Sequence, residues 1–439
     1  MLVLANQTAD DLAATSTNAL ALSGKRVVSV VYSNYPADPR VRRAAEALAK
    51  EGASVEVICL EEKDDEPKQE TFNGVAITRI PLKRRRGGKL AYLVGYGSFI
   101  AIAGALLARR AIGQRLDLIH VHNMPDFLVF SALVPKLRGA KVILDLHDPM
   151  PELMMTIFGL RENSYAIRFL KLLEKLSLGF ADALLTVNGV CAKIFSGRSC
   201  AGEKITVVMN SPDEEIFGLR KISPPVVDKS DVAEPFVFMY HGTLVERHGV
   251  DLAVEALATI RKTIPNAELR IFGWATPFLE QVLASAEVSG LGKAVQYMGS
   301  KNLEQIAAAI SECDCGIIPN RRSIFTELNT PTRIFEYLSQ GKPVIAPRAP
   351  GILDYFSSQE LILFELGDVG DLARKMEYAC RNRAEIVRMA ERGQQVYRMH
   401  KWSAERLRFV SLVEGLLIKP EGSTASVHGR SRPVFESQE

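Results

Sequence analysis

Twice along this chain, short β-branched runs, most of them continuous rather than alternating, alternate with helical stretches, and this repetition is the strongest constraint on its fold. In the first half the runs are residues 26–32, 54–60, 75–81, 116–122, 141–147 and 183–187, with 206–209 closing the set. Continuous rather than alternating apolar runs are what a parallel sheet requires when helices cover both of its faces. Asp38-Pro39 follows the first run and supplies an N-cap and a first-turn proline. A helix is therefore predicted from there to Glu51-Gly52, giving a strand–helix–strand start.

A Pro/Asp/Ser-containing stretch over 211–235 interrupts the pattern and reads as a linker. The alternation then restarts, with strands predicted at 236–240, 268–272, 295–298, 315–318 and 342–346 and helices at 250–263, 277–288 and 303–310. The fold class is α/β, two doubly wound Rossmann-like domains facing a cleft. The predicted boundaries are a poorly ordered start (1–23), a first domain (24–212), a linker (213–235), a second domain (236–400), a final helical segment (401–418) and a poorly ordered tail (419–439). In such sheets ligands bind outside the carboxyl ends of the strands, so chemistry is sought in the loops that follow them.

Hydrophobic residues make up 47% and charged residues 24% of the chain, a globular composition. A formal charge of +3 does not point to nucleic acid, and any basic effect must be local. The six cysteines are scattered, and Cys313 and Cys315 sit in an apolar strand, which fits a reduced cytoplasmic protein better than a disulfide or zinc framework. Residues 1–23 lack the basic start and apolar run of a secretory signal.

Residues 90–108 carry no charge and lie between Lys83-Arg84-Arg85-Arg86, followed by Lys89, and Arg109-Arg110. Length alone would nominate a membrane span. A span would put the run at 116–122 across the membrane from its partner strands, and three glycines and a serine weaken the lipid-exposed reading. Two readings stay open. One is a sheet-packed helix whose basic shoulder, Lys83 to Lys89, rests on anionic lipid at the inner face of the cell membrane; the other is a buried crossover helix beside a solvated loop.

In the second half, Glu336 lies beside Phe335 and Leu338 in an otherwise apolar helix, where a carboxylate is costly unless it accepts hydrogen bonds. A ribose diol at the cleft would suit it; a solvated outer face is the alternative. The loop Tyr240 to Gly249 ends a strand and opens a helix, with Gly242 and Gly249 permitting close backbone approach. Arg247 lies near that helix start, so an anion such as a diphosphate could be held there. Neither G-x-G-x-x-G after the first strand nor G-x-x-x-x-G-K-[ST] occurs, which argues against dinucleotide and P-loop enzymes.

In the first half, His120 and His122 end one run and His147-Asp148 the next. A His-x-His pair is compatible with a metal, but no acid or cysteine joins it at a usual spacing, so no metal site is assigned. His120 reads as a hydrogen-bonded core histidine and His147 as the better-placed functional group.

The segments YSNYPADPRVRRAAEAL, DLIHVHNMPD, KVILDLHD, ADALLTVNG, ITVVMNSPDEEIF, YHGTLVERHG and PTRIFEYLSQGKPVIAP occur in one order over residues 25–418. In this combination the chain resembles the retaining glycosyltransferases of family 4, which have the GT-B fold. The resemblance implies a nucleoside diphosphate sugar as donor on the second domain, a glycan or polyprenyl-linked acceptor on the first, and no metal or other cofactor. It implies that Glu336 holds the ribose, that Arg247 with Gly242 and Thr243 meets the diphosphate, and that Thr330, Pro331, Thr332 and Arg333 lie along the phosphates. His147 would contact the transferred sugar, and Asn34, Tyr35, His122 and Asn123 would line the acceptor side. The final helix would cross back onto the first domain.

Two features depart from the family pattern, at three positions. The carboxylate eight residues before Glu336 is replaced by Leu328, with Glu327 one place off, and the usual loop cations are Thr243 and His248. Arg247 would have to serve for both. Two rivals remain: a catalytically silent nucleotide-sugar-binding scaffold, and a sugar-nucleotide epimerase of the same fold, for which no second-domain carboxylate pair is found.

Overall fold

A computed structural model describes residues 20–62, 66–83, 89–222 and 235–418. The first sheet contains β1 (Arg26–Asn34), β2 (Ser54–Leu60), β3 (Gln69–Phe72), β4 (Val75–Ile80), β5 (Leu118–His122), β6 (Lys141–Leu146), β7 (Ala183–Thr186) and β8 (Ile205–Val207). Their spatial order is β3-β4-β2-β1-β5-β6-β7-β8, and every pairing is parallel except that of the edge strand β3. The second sheet contains β9 (Phe236–His241), β10 (Ala267–Phe272), β11 (Val295–Tyr297), β12 (Cys315–Ile317), β13 (Val344–Arg348) and β14 (Ile362–Glu365), in the order β11-β10-β9-β12-β13-β14. Strand order reverses between β1 and β5 and between β9 and β12, so each sheet opens a crevice at its carboxyl edge.

Helix α1 (Pro39–Lys50) starts where Asp38 accepts from Arg40 N and Pro39 occupies the first turn. It covers one face of the first sheet. The other face carries α2 (Lys89–Gly113), α3 (Leu133–Leu137), α4 (Met150–Phe158), α5 (Tyr165–Phe180) and α6 (Gly189–Arg198). In the second domain follow α7 (Val250–Ile260), α8 (Pro277–Val288), α9 (Leu303–Glu312), α10 (Ile324–Leu328), α11 (Thr332–Ser339), α12 (Pro350–Leu353), α13 (Val369–Arg381) and α14 (Arg383–Met399). The last helix, α15 (Trp402–Leu417), returns to the first domain, where Phe409 and Val413 join the core beneath α1.

Along α2, Phe99, Ala103, Leu107 and Ala111 recur every fourth residue and are buried on the sheet. No described helix is long and apolar enough to cross a membrane. Arg84, Arg85 and Arg86 lie outside the described residues, as does the side chain of Lys89.

The structure corrects two boundaries. Leu22 is fully buried and donates its N–H to Glu51 O at 2.9 Å, so the packed chain includes residues assigned to a loose start. Residues 213–222 belong to the second domain rather than to a free linker: Phe217 is buried, Gly218 O accepts from Gln340, and Arg220 N donates to Ser339 O. Within the predicted second domain (236–400), β14 adds an edge strand and α13 and α14 add helices beyond the last strand named from the sequence. Residues 1–19, 223–234 and 419–439 lie outside the described residues.

Candidate active site

At the first domain's carboxyl edge, parallel register sets His122 on β5 beside Asp145 on β6. Asp145 Oδ2 lies 3.4 Å from His120 Nε2, 3.3 Å from His122 Nδ1 and 3.7 Å from His147 Nε2. The His122 and His147 rings stack with 5° between planes, and His122 Nδ1 is 3.3 Å from His147 Nε2. Burial disfavours the protonated rings, pushing His147 down to about 3 and His120 to about 4. Burial would raise Asp145, but the imidazoles of His147, His120 and His122 hold it well below the usual carboxylate range. His120 and His147 are thus neutral rings beside an ionised Asp145. The ligand atoms of His120, His122 and Asp145 are close enough together to hold a metal ion. Asp145 is therefore the acid that sequence spacing did not find.

Asn123 is a clamp within this edge rather than an acceptor contact. Its Oδ1 accepts from His147 N at 2.8 Å, while its Nδ2 donates to Asp148 O (2.8 Å) and Asp126 Oδ1 (2.9 Å). His122 is fully buried beneath His147, so it too is removed from the acceptor surface. Tyr35 is corrected more strongly. It lies in the turn after β1 and is 2% exposed, packed in the core under α1 with Val31 and Val41. Asn34 ends β1 half-buried, and its carbonyl accepts from Asp38 N at 3.1 Å. His120 is a core histidine, but neither of its ring nitrogens makes a hydrogen bond.

At the second domain's edge, α11 begins beside the end of β9, and no side chain caps its N-terminus. Glu336 keeps 12% of its side chain exposed, and its Oε2 is 3.3 Å from His241 Nε2. Burial raises Glu336 to about 7 against the opposing pull of Arg333 and Arg43. The Arg333 guanidinium donates to His241 O at 2.7 Å and lies over the Tyr240 ring. It also borders Gly242, whose φ of 129° and lack of a side chain leave room for it; a Cβ there would stand 3.1 Å from Arg333 Nη1.

Arg247 is half-buried near Phe325, and its Nε has no partner. Burial lowers its pKa, while Asp148 of the first domain opposes that shift across the cleft. Thr243 is exposed, and its carbonyl accepts from Tyr240 Oη and His248 Nδ1, each at 2.8 Å. His248 is held down to about 4 by burial and by Arg333 and Arg247, so it is a neutral loop brace. Arg333, expected along the phosphates, thus joins Arg247 as a cation of this edge, where Arg247 was expected to serve for both of the usual loop cations.

Between the domains, the hydroxyls expected along the phosphates are already engaged. Thr330 Oγ1 accepts from Asn188 Nδ2 (3.1 Å) and donates to Gly351 O (2.6 Å); Thr332 Oγ1 donates to Asn210 O and accepts from its Nδ2. Pro331 is the buried N-cap of α11. Asn188 Nδ2 also donates to Leu328 O at 2.9 Å. Glu327 pairs with Arg322 at 3.2 Å, so it does not restore the displaced carboxylate at the cleft. Sequence reasoning also passed over Arg43, which donates to Asn210 Oδ1 at 2.6 Å and lies over Trp402. Burial draws its pKa down to about 10. Asn188 and Arg43 both lie inside motifs that were quoted, but nothing local distinguishes them from neighbouring polar residues.

Two Rossmann-like domains with their carboxyl edges opposed across a cleft define the GT-B architecture. Residues 37–211 match the family model of a glycosyl transferase 4-like domain, and residues 227–396 that of glycosyl transferases group 1. The chain belongs to the group 1 glycosyltransferase family. It is similar to a sulfoquinovosyl transferase of Arabidopsis thaliana, 24% identical over 63% of this chain and 52% of the relative, and so spans about half of that protein's length. Among solved structures, a sucrose-phosphate synthase from Thermosynechococcus elongatus superposes with a TM-score of 0.71 at 18% identity, covering 89% of this chain and 99% of the other. HepE of Anabaena, in complex with UDP-glucose, gives 0.64 at 14% identity over 89% and 99%. These structural likenesses establish the fold.

Proposed function

We propose that the chain transfers a sugar from a nucleoside diphosphate sugar to a glycan or lipid-linked acceptor, with retention of configuration. The observation that carries this reading is the gathering of Glu336, Arg333, Arg247 and the uncapped start of α11 at the second sheet's crevice. Glu336 would accept hydrogen bonds from the ribose hydroxyls. Arg247 and Arg333 would face the diphosphate, whose charge grows as it leaves. HepE, of the same fold, is crystallised with UDP-glucose, which supports a nucleotide sugar as donor.

In the proposed step the bond from the anomeric carbon to the diphosphate breaks, and the acceptor oxygen bonds to the same face of that carbon. The acceptor proton passes to the leaving phosphate oxygen, so no protein nucleophile is required. His147, neutral and fixed by Asn123 and the Asp145 cluster, would position the transferred sugar. With Leu328 and Glu327 both withdrawn, hydroxyl recognition of that sugar would fall to other groups.

The test is incubation with a panel of nucleotide sugars, with and without membrane extract, followed by NMR of the product's anomeric centre. Retained configuration with acceptor-dependent release of nucleoside diphosphate is the expected result. Conversion of donor alone into another sugar nucleotide would identify an epimerase, and binding without release would identify a scaffold.

A further inference from the structure

We propose that the outer face of α5 is a docking surface for an anionic lipid bilayer. This helix is apolar on two opposite sides. Ile167 and Leu178 are fully buried on the sheet side. On the other side Tyr165, Phe169, Leu172 and Leu176 are 89%, 58%, 52% and 52% exposed. Their spacings of four, three and four residues place them within about 60° of arc on a helix turning about 100° per residue. A surface helix ordinarily turns polar residues outward, and a contiguous exposed apolar stripe marks an interaction site.

Charge selects the occupant. Arg168, Lys171 and Lys175 lie along one flank of the stripe. The single acid of α5, Glu174, is fully buried and bound to Arg198 at 2.5 and 2.8 Å, so it does not offset them at the surface. Lys171 has one acidic neighbour, Glu162, which lies before the helix. An apolar stripe with a one-signed basic flank is the pattern of a helix lying in a bilayer interface. On the same side of the sheet α3 exposes Leu133 and Leu137, adding apolar area next to Lys136 and Arg138.

The placement also suits the cleft. A crossover helix runs antiparallel to the strands it joins, and α5 ends just before β7 begins. Its Tyr165 end therefore lies toward the carboxyl edge, where His147 sits, and its Leu176 end toward the opposite edge. A bilayer on this stripe would deliver a lipid-linked acceptor to the cleft mouth. That last use rests on the transfer reading above; lipid binding itself does not.

The full chain should co-sediment with phosphatidylcholine vesicles containing phosphatidylglycerol and bind phosphatidylcholine alone much more weakly. Phe169→Glu with Leu172→Glu should weaken binding at least tenfold, since two large apolar side chains no longer enter the bilayer. Arg168→Gln, Lys171→Gln and Lys175→Gln together should weaken it on the order of a hundredfold at low salt, at about fivefold per charge. An unchanged melting midpoint in each variant confirms that the fold survives. For depth, the tryptophan of a Phe169→Trp variant should be quenched by lipids brominated on their chains, whereas native Trp274, 79% exposed on the second domain, should not. Three results would overturn the proposal: no binding to anionic vesicles at low salt, binding that both variant sets leave intact, or a dimer in sedimentation that the Phe169 and Leu172 changes dissolve.

Discussion

The two edges that face the cleft are built on opposite plans. On the first domain, the groups around His147 bind mainly to one another: Asn123 makes three side-chain hydrogen bonds and Asp145 sits among three imidazoles, although His120 Nδ1 and His122 Nε2 have no partner. On the second, Glu336 is raised toward neutrality by burial, His241 Nε2 lacks a hydrogen bond, and so does Arg247 Nε. Both edges keep buried polar atoms without partners, but the second gathers a carboxylate and two guanidinium groups that a polar ligand could complete. On the proposed reading the first domain is the frame that positions the sugar and the second binds the donor, a division that can be broken by mutation.

The largest effect is expected at Arg247. Arg247→Ala should lower kcat by about 10²–10³-fold, the usual size for removing a group that stabilises developing charge, with a smaller change in the KM for donor. Arg247→Lys should recover part of the rate by restoring charge without the fork. Wild-type kinetics in Arg247→Ala would give the diphosphate to Arg333 and α11 alone.

Next comes Glu336→Ala, for which donor affinity should fall about tenfold to a hundredfold, from loss of hydrogen bonds worth about 1.5–3 kcal/mol. Its pH dependence sharpens the test. With Glu336 near 7, donor affinity should rise about tenfold between roughly pH 6 and pH 8 as the carboxylate ionises, and Glu336→Gln should flatten that rise. Stability moves the other way. The native carboxyl holds its proton up to about 7 while the unfolded one releases it near 4.5, so this group's contribution is fully present below about 4.5 and lost as pH rises to about 7. Denaturant melts of wild type and Glu336→Gln across that range check the sign.

A change in the frame should register as stability instead. Asp145→Asn replaces the shared carboxylate of a buried cluster with a neutral amide and should cost about 1–3 kcal/mol in urea denaturation, with donor affinity nearly unchanged. The smallest effect is expected at Glu327, whose exposed pair with Arg322 predicts less than about 0.5 kcal/mol and no change in donor binding for Glu327→Ala. A large kinetic loss there would mean that Glu327 turns into the cleft during the reaction.

These differences also explain what could be read from the sequence. Both parallel sheets are legible because buried strands such as β1 and β9 are largely apolar runs without a polar alternation. The edge strand β3, Gln-Glu-Thr-Phe, was not, since a mostly exposed strand carries no such run. At the second edge Gly242, Arg247 and Glu336 stood out as local anomalies: a glycine after a strand, a cation near a helix start and an acid in an apolar helix. At the first edge the informative facts are pairings. Asp145 meets His122 only through the β5–β6 register, and Tyr35 leaves the cleft because the turn after β1 packs it beneath α1. Arg333 was read as lining the phosphates, but its contact with His241 and Gly242 depends on how α11 packs against β9.

The division between donor site and frame is tested most directly by calorimetric titration of wild type, Glu336→Ala and Asp145→Asn with a panel of intact nucleotide sugars. One nucleotide sugar should bind wild type, bind Glu336→Ala at least about tenfold more weakly, and bind Asp145→Asn with nearly the wild-type Kd. Equal affinities for wild type and Glu336→Ala, or a comparable loss in Asp145→Asn, would contradict the assignment of donor binding to the second domain's edge.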